Sequence, residues 1–344
     1  MRKVFVYFLF CFFAFISCET DVEVHAPWEE LTVVYGLIDQ SQEYQFIKIN
    51  KTFLGKEDAL YMAGISNSIN IDPDNFTVIL YQSEEVEDMY SDTINNFINV
   101  SNKFFKLTDS LELQDTIIDK DDGLFANDKN IIYTVFTNTK PTFFNTNKSF
   151  LLSIRNNKTG NHVTAVTKLI PNLTITNEIY FENEINFYNP NNMDSLRFLS
   201  RTVSWNEPEN GVIYQLELVF NYIEDNEYKS VLIKSPLVNN EESTKIKGKD
   251  FFNALQNNIQ TTSNIVRTIN DFDLRIIVGT QELKTYIEVN QPISGIVQER
   301  PQFSNINNGI GLFSARYIKE YKGITIHSET KKFIIDSLSQ LNFK

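Results

Sequence analysis

The sequence predicts an all-β protein built from two consecutive β-sandwich domains, and three observations support this prediction. Short segments that alternate apolar and polar residues recur along the chain, separated by clusters of Asn, Asp, Gly and Ser. Strand and helix patterns do not alternate in a βαβ order, which disfavours a doubly wound nucleotide-binding fold. Hydrophobic residues make up 42% of the 344 residues, with 28 Phe and 15 Tyr, which argues against global disorder.

The first predicted domain covers residues 31–171. Its strands are predicted at residues 31–38, 44–49, 76–82, 103–107, 131–136, 150–155 and 163–167. The first two form a hairpin, and the last two form another around the Gly-containing turn at 156–160. This strand spacing is typical of an immunoglobulin-like or transthyretin-like sandwich.

The second predicted domain covers residues 172–344, after the boundary residue Pro171. Its strands are predicted at residues 198–205, 214–222, 228–233, 273–278 and 283–289. Trp205, followed by a Tyr-rich strand, resembles the core of a fibronectin type III sandwich. One short internal helix is predicted at 249–260, where apolar residues recur at every fourth position.

The C-terminal region is predicted to contain a hairpin followed by a helix. The hairpin strands are residues 310–317 and 323–327, with Gly323 at the start of the second. Ser328 is the predicted N-cap of the helix, which carries Phe333, Ile334, Leu338 and Leu341 on one face.

Residues 1–17 have the layout of a secretory signal peptide. Two basic residues precede the unbroken apolar run 4–16, which is shorter than the roughly 20 residues of a membrane-spanning helix. The stretch ending in Ser17-Cys18 resembles the bacterial lipobox, with Phe15 in place of the usual Leu, Val or Ile. This resemblance makes Cys18 the lipidation site and residues 18–30 a lipidated tether. The alternative is a plain signal peptide in which Cys18 is incidental.

Composition excludes several kinds of chemistry. The formal net charge of −13 disfavours binding to nucleic acid, because the phosphate backbone is also negative. The two cysteines are Cys11, in the signal peptide, and Cys18. A processed, acylated chain would therefore have no disulfide, no thiolate metal site and no cysteine nucleophile. We expect no cofactor.

The sequence contains no recognisable catalytic or metal-binding signature. His25, His162 and His327 do not have the spacing of metal ligands. Residues 119–123 resemble part of a calcium loop, but the twelfth position is Asn130 instead of the bidentate Glu. We therefore predict no catalytic residue and no metal site. Carboxylate pairs for glycoside hydrolysis and an aromatic sugar platform remain alternatives.

Short Asp-(Ser/Thr)-apolar tripeptides occur five times in the chain. They resemble the O-glycosylation site of exported Bacteroidota proteins, and chance recurrence is the alternative. The tripeptides are residues 92–94, 109–111, 115–117, 194–196 and 336–338.

Residues 301–313, PQFSNINNGIGLF, resemble the C-terminal signature of a large Bacteroidota lipoprotein family catalogued as a domain of unknown function. The hairpin 152–167 followed by Pro171 and the lipobox at Cys18 also resemble features of that family. Its members often accompany TonB-dependent outer-membrane transporters. The resemblance implies a non-enzymatic lipoprotein anchored in the outer membrane, at the cell surface or on the periplasmic face. It carries over no catalytic residues.

These observations lead to two functional hypotheses. The first is a binding or accessory subunit of an outer-membrane transporter or export system. The alternative is a surface glycan-binding or glycan-processing lipoprotein. Acidic residues Glu19, Asp21 and Glu23 resemble a surface-export signal and favour an outward-facing protein. We expect the glycines of segment 301–313 to form a conformational corner, with a ligand loop as the alternative.

Overall fold

The structure is a computed structural model in which β-strands dominate, and this confirms the all-β, sandwich-like prediction. Residues 31–344 form a single compact unit. The described residues are 30–53, 59–87, 96–119, 123, 130–177, 183–193, 196–261, 265–292 and 302–344.

Eight strands lie in the described part of the first half of the chain. They are β1 (Thr32–Asp39), β2 (Tyr44–Lys51), β3 (Phe76–Val86), β4 (Phe97–Val100), β5 (Lys103–Ile117), β6 (Ile131–Phe136), β7 (Ser149–Asn156) and β8 (His162–Lys168). Two short helices, α1 (Ala59–Ala63) and α2 (Ser66–Ile69), and the 3-10 turns Pro73–Asn75 and Thr137–Thr139 connect some of them. Each strand predicted from the alternation pattern in this half is present, and several extend beyond their predicted ends.

The described part of the second half adds ten strands. They are β9 (Thr174–Ile175), β10 (Glu184–Ile185), β11 (Ser200–Asn206), β12 (Ile213–Glu224), β13 (Glu227–Lys234), β14 (Val238–Asn239), β15 (Ser243–Lys247), β16 (Arg267–Gly279), β17 (Ile306–Asn307) and β18 (Gly309–Ile326). The helices are α3 (Gly248–Asn258), α4 (Gln281–Asn290) and α5 (Ser328–Ser337), followed by the 3-10 turn Ser339–Leu341. Among the described residues, no helix is both long and apolar enough to cross a membrane.

One long strand, β18, joins the two halves of the molecule. Its first part pairs in parallel with β1, from Thr32↔Gly309 to Asp39↔Arg316. Its second part pairs with β16 in the antiparallel direction. Fifteen strands of the described chain therefore belong to one sheet, whose main path is β13-β12-β16-β18-β1-β2-β6-β5-β3-β7-β8-β17. Strands β15, β11 and β9 form a smaller sheet.

The hydrophobic residues form two large clusters. One consists of Ile170 and residues after Pro171, and it contains Trp205 stacked on Tyr214 at a ring-centroid distance of 4.8 Å. The other lies in the first half but also contains Phe313 and Ala315 of β18. Most residues before the proposed boundary at 171 thus belong to one core, and most residues after it belong to the other. Strand β18 is an exception, because it also contributes residues to the first core. The domain limits 31–171 and 172–344 stay a prediction.

The C-terminal strands differ from the predicted hairpin. Residues 309–326 form a single strand of 18 residues, not two strands joined by a turn. Gly323 has φ +68°, and its amide N–H donates to Asp273 Oδ1 at 3.0 Å. This local irregularity, opposite a register shift in β16, lets the strand bend without reversing direction.

Two helices agree with the prediction and one replaces a predicted strand. Helix α3 buries Phe251, Phe252 and Leu255, as its period indicates. Helix α5 begins one residue earlier than predicted, because His327 Nδ1 accepts a hydrogen bond from Glu329 N. It ends at Ser337, so Leu338 and Leu341, which were predicted to lie on its apolar face, follow the helix. The prediction of a strand over residues 283–289 is wrong, because these residues lie in helix α4.

Candidate functional site

Residues 302–313 form a tight corner that leads into β18. Asn305 holds both backbone groups of Phe313: its Oδ1 accepts from Phe313 N at 2.9 Å, and its Nδ2 donates to Phe313 O at 2.6 Å. Ser304 Oγ accepts from the amides of Ile306 and Gly311. The segment that carries the family resemblance is therefore a structural corner, as we expected from its glycines.

Glycine is required in this corner by close contact with β1. Gly311 has φ +121°, which disfavours other residues, and a Cβ there would overlap the Val34 carbonyl. A Cβ at Gly309 would lie 2.7 Å from the Thr32 carbonyl oxygen. The parallel β1–β18 pairing therefore depends on the absence of side chains at these positions.

A cavity of about 600 Å³, which we call the corner cleft, opens beside this corner. Its described walls come from seven segments that are distant in sequence. They are Glu85 near the end of β3, the turn between β4 and β5, Ser149 at the start of β7, the end of β8, residues 210–212, the first turn of α4 and residues 304–307. Asn210 fixes one wall, because its Nδ2 donates to Leu169 O at 3.0 Å.

The corner cleft is lined mainly by hydroxyl, amide and aliphatic groups. The two carboxylates among its described residues are both engaged: Glu85 pairs with Lys103 at 2.8 Å, and Glu282 accepts from the Thr280 hydroxyl at 2.5 Å. Thr167 is 2% exposed, and its hydroxyl has no hydrogen-bond partner among the described residues. This arrangement suits binding of a polar molecule better than acid–base chemistry.

A second surface, the aromatic face, consists of Tyr35, Tyr44, Phe46 and Phe136 on the outer side of β1, β2 and β6. Their side chains are 37–50% exposed. The Tyr44 ring lies 4.9 Å from that of Phe136 and 6.3 Å from that of Phe46, between centroids. The rings therefore form one contiguous patch across the neighbouring strands β2 and β6.

A groove of about 490 Å³ separates the aromatic face from helix α4. Leu283, Tyr286 and Ile287 form the helical wall. The Tyr286 ring meets that of Tyr35 edge-on at 6.1 Å. Burial, together with the hydrogen bond to Tyr35, raises the pKa of Tyr286 to about 12, so the phenol stays neutral at physiological pH.

The lining of the groove includes a buried charge. Asp39 is buried and accepts from Arg316 Nε at 3.1 Å and from Ser41 N at 3.0 Å. Arg316 belongs to β18, so this contact also fixes the β1–β2 turn against the long strand. The groove is therefore lined by apolar and aromatic side chains together with the polar residues Asp39, Gln42, Gln45 and Arg316.

His162 and His327 lie apart from both surfaces. His162 Nε2 lies 2.8 Å from the hydroxyl of buried Ser153, on neighbouring strands. Burial, and then the nearby Arg155, lower the pKa of His162, which favours its neutral form. His327 caps α5, and His25 lies outside the described residues. Within the described chain, no group of three or more His, Cys, Asp or Glu residues is placed to hold a metal ion.

Several predicted sites fall outside the described residues. They include the signal peptide 1–17, Cys18 and nearly all of the tether, and also most of the calcium-like segment 119–123. Tripeptides 92–94 and 194–196 fall wholly or partly outside as well. Tripeptide 109–111 lies within β5, where Asp109 pairs with Lys140. Tripeptides 115–117 and 336–338 lie at the exposed end of β5 and the end of α5.

The sequence contained a signal for the aromatic face that strand prediction alone did not use. In β1, Val34 and Ile38 are fully buried, while Tyr35 points to the opposite side and is 45% exposed. A strand with one face in water normally carries polar residues on that face. Apolar residues on both faces of β1 and β2 therefore indicate a second, partly covered apolar surface.

The chain shows no significant similarity to known proteins in two comparisons. No protein-family model matches it, and no curated protein matches it at a significant level.

Proposed function

We propose that the protein is a lipid-anchored, non-enzymatic binding subunit of the cell envelope. Cys18 would carry the lipid that holds it in the outer membrane. Its aromatic face would dock a partner protein, a TonB-dependent transporter or another export component. The main observation that supports this proposal is the contiguous patch of exposed aromatic rings on the fifteen-stranded sheet.

The aromatic face has the composition of a protein-docking surface. Soluble monomers rarely leave large contiguous apolar patches in water, and tyrosine and phenylalanine are enriched where proteins associate. Tyr44, Phe46 and Phe136 supply rigid rings that a partner would bury at little cost in side-chain entropy.

A binding role also agrees with the chemistry of the described residues. The cleft carboxylates Glu85 and Glu282 already have partners, and the Ser153–His162 pair lies on a different part of the sheet. A nucleophile or general base must reach a bound substrate, and buried Ser153 does not line either cavity. These features support the proposal of a non-enzymatic protein.

The lipid anchor is tested by replacing Cys18 with serine. We expect Cys18→Ser to move the protein from the membrane fraction to the soluble fraction, because serine provides no thiol for acylation. Fractionation with intact-mass measurement reports both location and processing. Cys11→Ser should leave processing unchanged. Membrane-bound Cys18→Ser together with unprocessed wild type would show that Cys18 is not the anchor.

The docking role is tested by a double substitution on the aromatic face. We expect Tyr44→Ser/Phe46→Ser to reduce co-purification of an outer-membrane barrel partner by about tenfold or more, because two buried anchors are lost. Quantitative mass spectrometry after mild detergent extraction measures the ratio of partner to protein. Tyr228→Ser is the matched control, because Tyr228 is 79% exposed on the distant strand β13.

Two results would contradict the docking role. One is equal partner recovery with the double variant and with wild type, when thermal unfolding shows both to be folded. The other is the absence of a stoichiometric barrel partner, combined with retention of the wild type on a polysaccharide column. The second result would support the glycan-binding alternative.

A further inference from the structure

The corner cleft has the size, chemistry and charge balance of a site for a small neutral sugar. We propose that it binds a neutral mono- or disaccharide. This inference does not depend on partner docking, because the residues of the aromatic face do not line the cleft.

The dimensions and rigidity of the cleft support a small ligand. Its volume of about 600 Å³ falls within the range of about 300–1,000 Å³ that is usual for small-molecule sites. The wall at 304–307 is fixed by the two hydrogen bonds between Asn305 and Phe313. A pre-formed site of this kind requires little ordering when a ligand enters.

The lining leaves hydrogen-bonding capacity that a polyhydroxylated ligand would use. The side chains of Ser101 and Gln281 in the lining are exposed, so they can reach a ligand that enters the cleft. The Asn307 side chain makes one long contact with the described residues, 3.4 Å from its Nδ2 to Thr164 Oγ1. Asn210 uses its Nδ2 on Leu169 O, which leaves its carbonyl oxygen as an acceptor. Sugar hydroxyls match this mixture because each both donates and accepts.

The charges of the cleft favour a neutral ligand over an ion. Its cations, Lys103 and Lys168, are balanced by Glu85 and Glu282. Lys103 is already paired with Glu85 at 2.8 Å, and Glu282 lies in the first turn of α4, where it offsets the positive end of the helix. A phosphate or a simple cation would therefore meet no net opposite charge.

Aliphatic side chains supply the remaining contact surface. Val100, Val166, Val212 and Ile306 lie among the polar groups of the lining. A sugar ring carries C–H groups on its faces and hydroxyls at its edge. The alternation of aliphatic and polar groups in the cleft is complementary to this shape.

The test is binding of named sugars to the detergent-purified full chain. The probes are glucose, galactose, mannose, N-acetylglucosamine, maltose and cellobiose, measured by saturation-transfer NMR and then calorimetry, with inorganic phosphate as the ionic comparison. We expect at least one sugar to bind saturably and phosphate not to bind. Saturable phosphate binding, or no binding by any of the six sugars, would overturn the proposal.

Two substitutions assign the binding to the cleft. Asn307→Ala removes an amide that lines the cleft and makes one long hydrogen bond, and it should weaken sugar binding by about fivefold. Asn157→Ala is its matched control, because the Asn157 amide also donates to a threonine hydroxyl, that of Thr77, but does not line the cleft. Gln281→Trp, at the exposed start of α4, should block the cleft and abolish binding without entering the core.

The outcomes separate this inference from partner docking. Tyr44→Ser/Phe46→Ser should retain sugar binding, and Gln281→Trp should retain the partner. Sugar binding that is lost with the aromatic substitutions and kept in Gln281→Trp would place the sugar on the aromatic face and refute a cleft site.

Discussion

Gly311→Ala is expected to lower the free energy of unfolding by about 3 kcal/mol or more. Residue 311 has φ +121°, a conformation that an alanine adopts only with strain. The new methyl group would also overlap the carbonyl of Val34, which is backbone of the neighbouring strand and has no alternative rotamer. Relief of this overlap would require β1 and β18 to separate at the point where β18 enters the first core.

Urea denaturation followed by tryptophan fluorescence measures this effect, because Trp205 lies buried in the second core. Gly123→Ala is the matched control: a Cβ at Gly123 would meet no heavy atom within 4 Å, so we expect a change within about 0.5 kcal/mol. A loss below about 1 kcal/mol for Gly311→Ala would contradict the close parallel approach of β1 and β18.

Local sequence patterns were sufficient to predict the positions of most strands but not how the strands pair in the sheets. Alternation located β1 and β2, and the turn at 156–160 located the β7–β8 hairpin. The parallel partner of β1 is β18, near the other end of the chain. No local pattern specifies such a pairing, because period-two alternation gives the face of a residue and not the identity of its neighbouring strand.

Helix α4 shows why a half-buried segment is difficult to predict. Residues 283–289 contain apolar side chains that fit both a strand and a helix over so short a length. In the structure, Leu283, Tyr286 and Ile287 share the helix face that lines the groove. None of the residues of α4 is fully buried, so packing gives only a weak periodic signal.

The candidate sites were predictable to different degrees. The glycines at 309 and 311 indicated a corner, and the structure gives their physical reason in the close approach to β1. The corner cleft could not be predicted, because its lining comes from seven distant segments. Thr167 illustrates this limit: in sequence it is an ordinary strand residue, and only the fold reveals its buried, unpartnered hydroxyl.

The C-terminal residues are held against β12 and β16 by Arg267, which is 1% exposed. Its Nε lies 2.6 Å from Glu224 Oε2, and its Nη1 donates to Leu341 O at 2.6 Å. Its backbone amide donates to Asn342 O, and its carbonyl accepts from Lys344 N. Phe343 then packs on Phe220 and Tyr222 at centroid distances of 5.8 and 5.6 Å.

Arg267→Ala should therefore destabilise the protein by about 3 kcal/mol, the lower end of the range for a broken buried ion pair. Glu224 retains partial contact with water, which limits the cost of leaving its carboxylate unpaired. Arg275→Ala is the matched control: its pair with Glu320 is 39% and 29% exposed, so the expected cost is below about 1 kcal/mol. Urea denaturation of both variants measures the difference, and hydrogen exchange should show early opening of residues 339–344 in Arg267→Ala alone. Equal stability losses in the two variants would contradict a stabilising role for the buried Arg267–Glu224 ion pair, because burial is the physical difference between the two ion pairs.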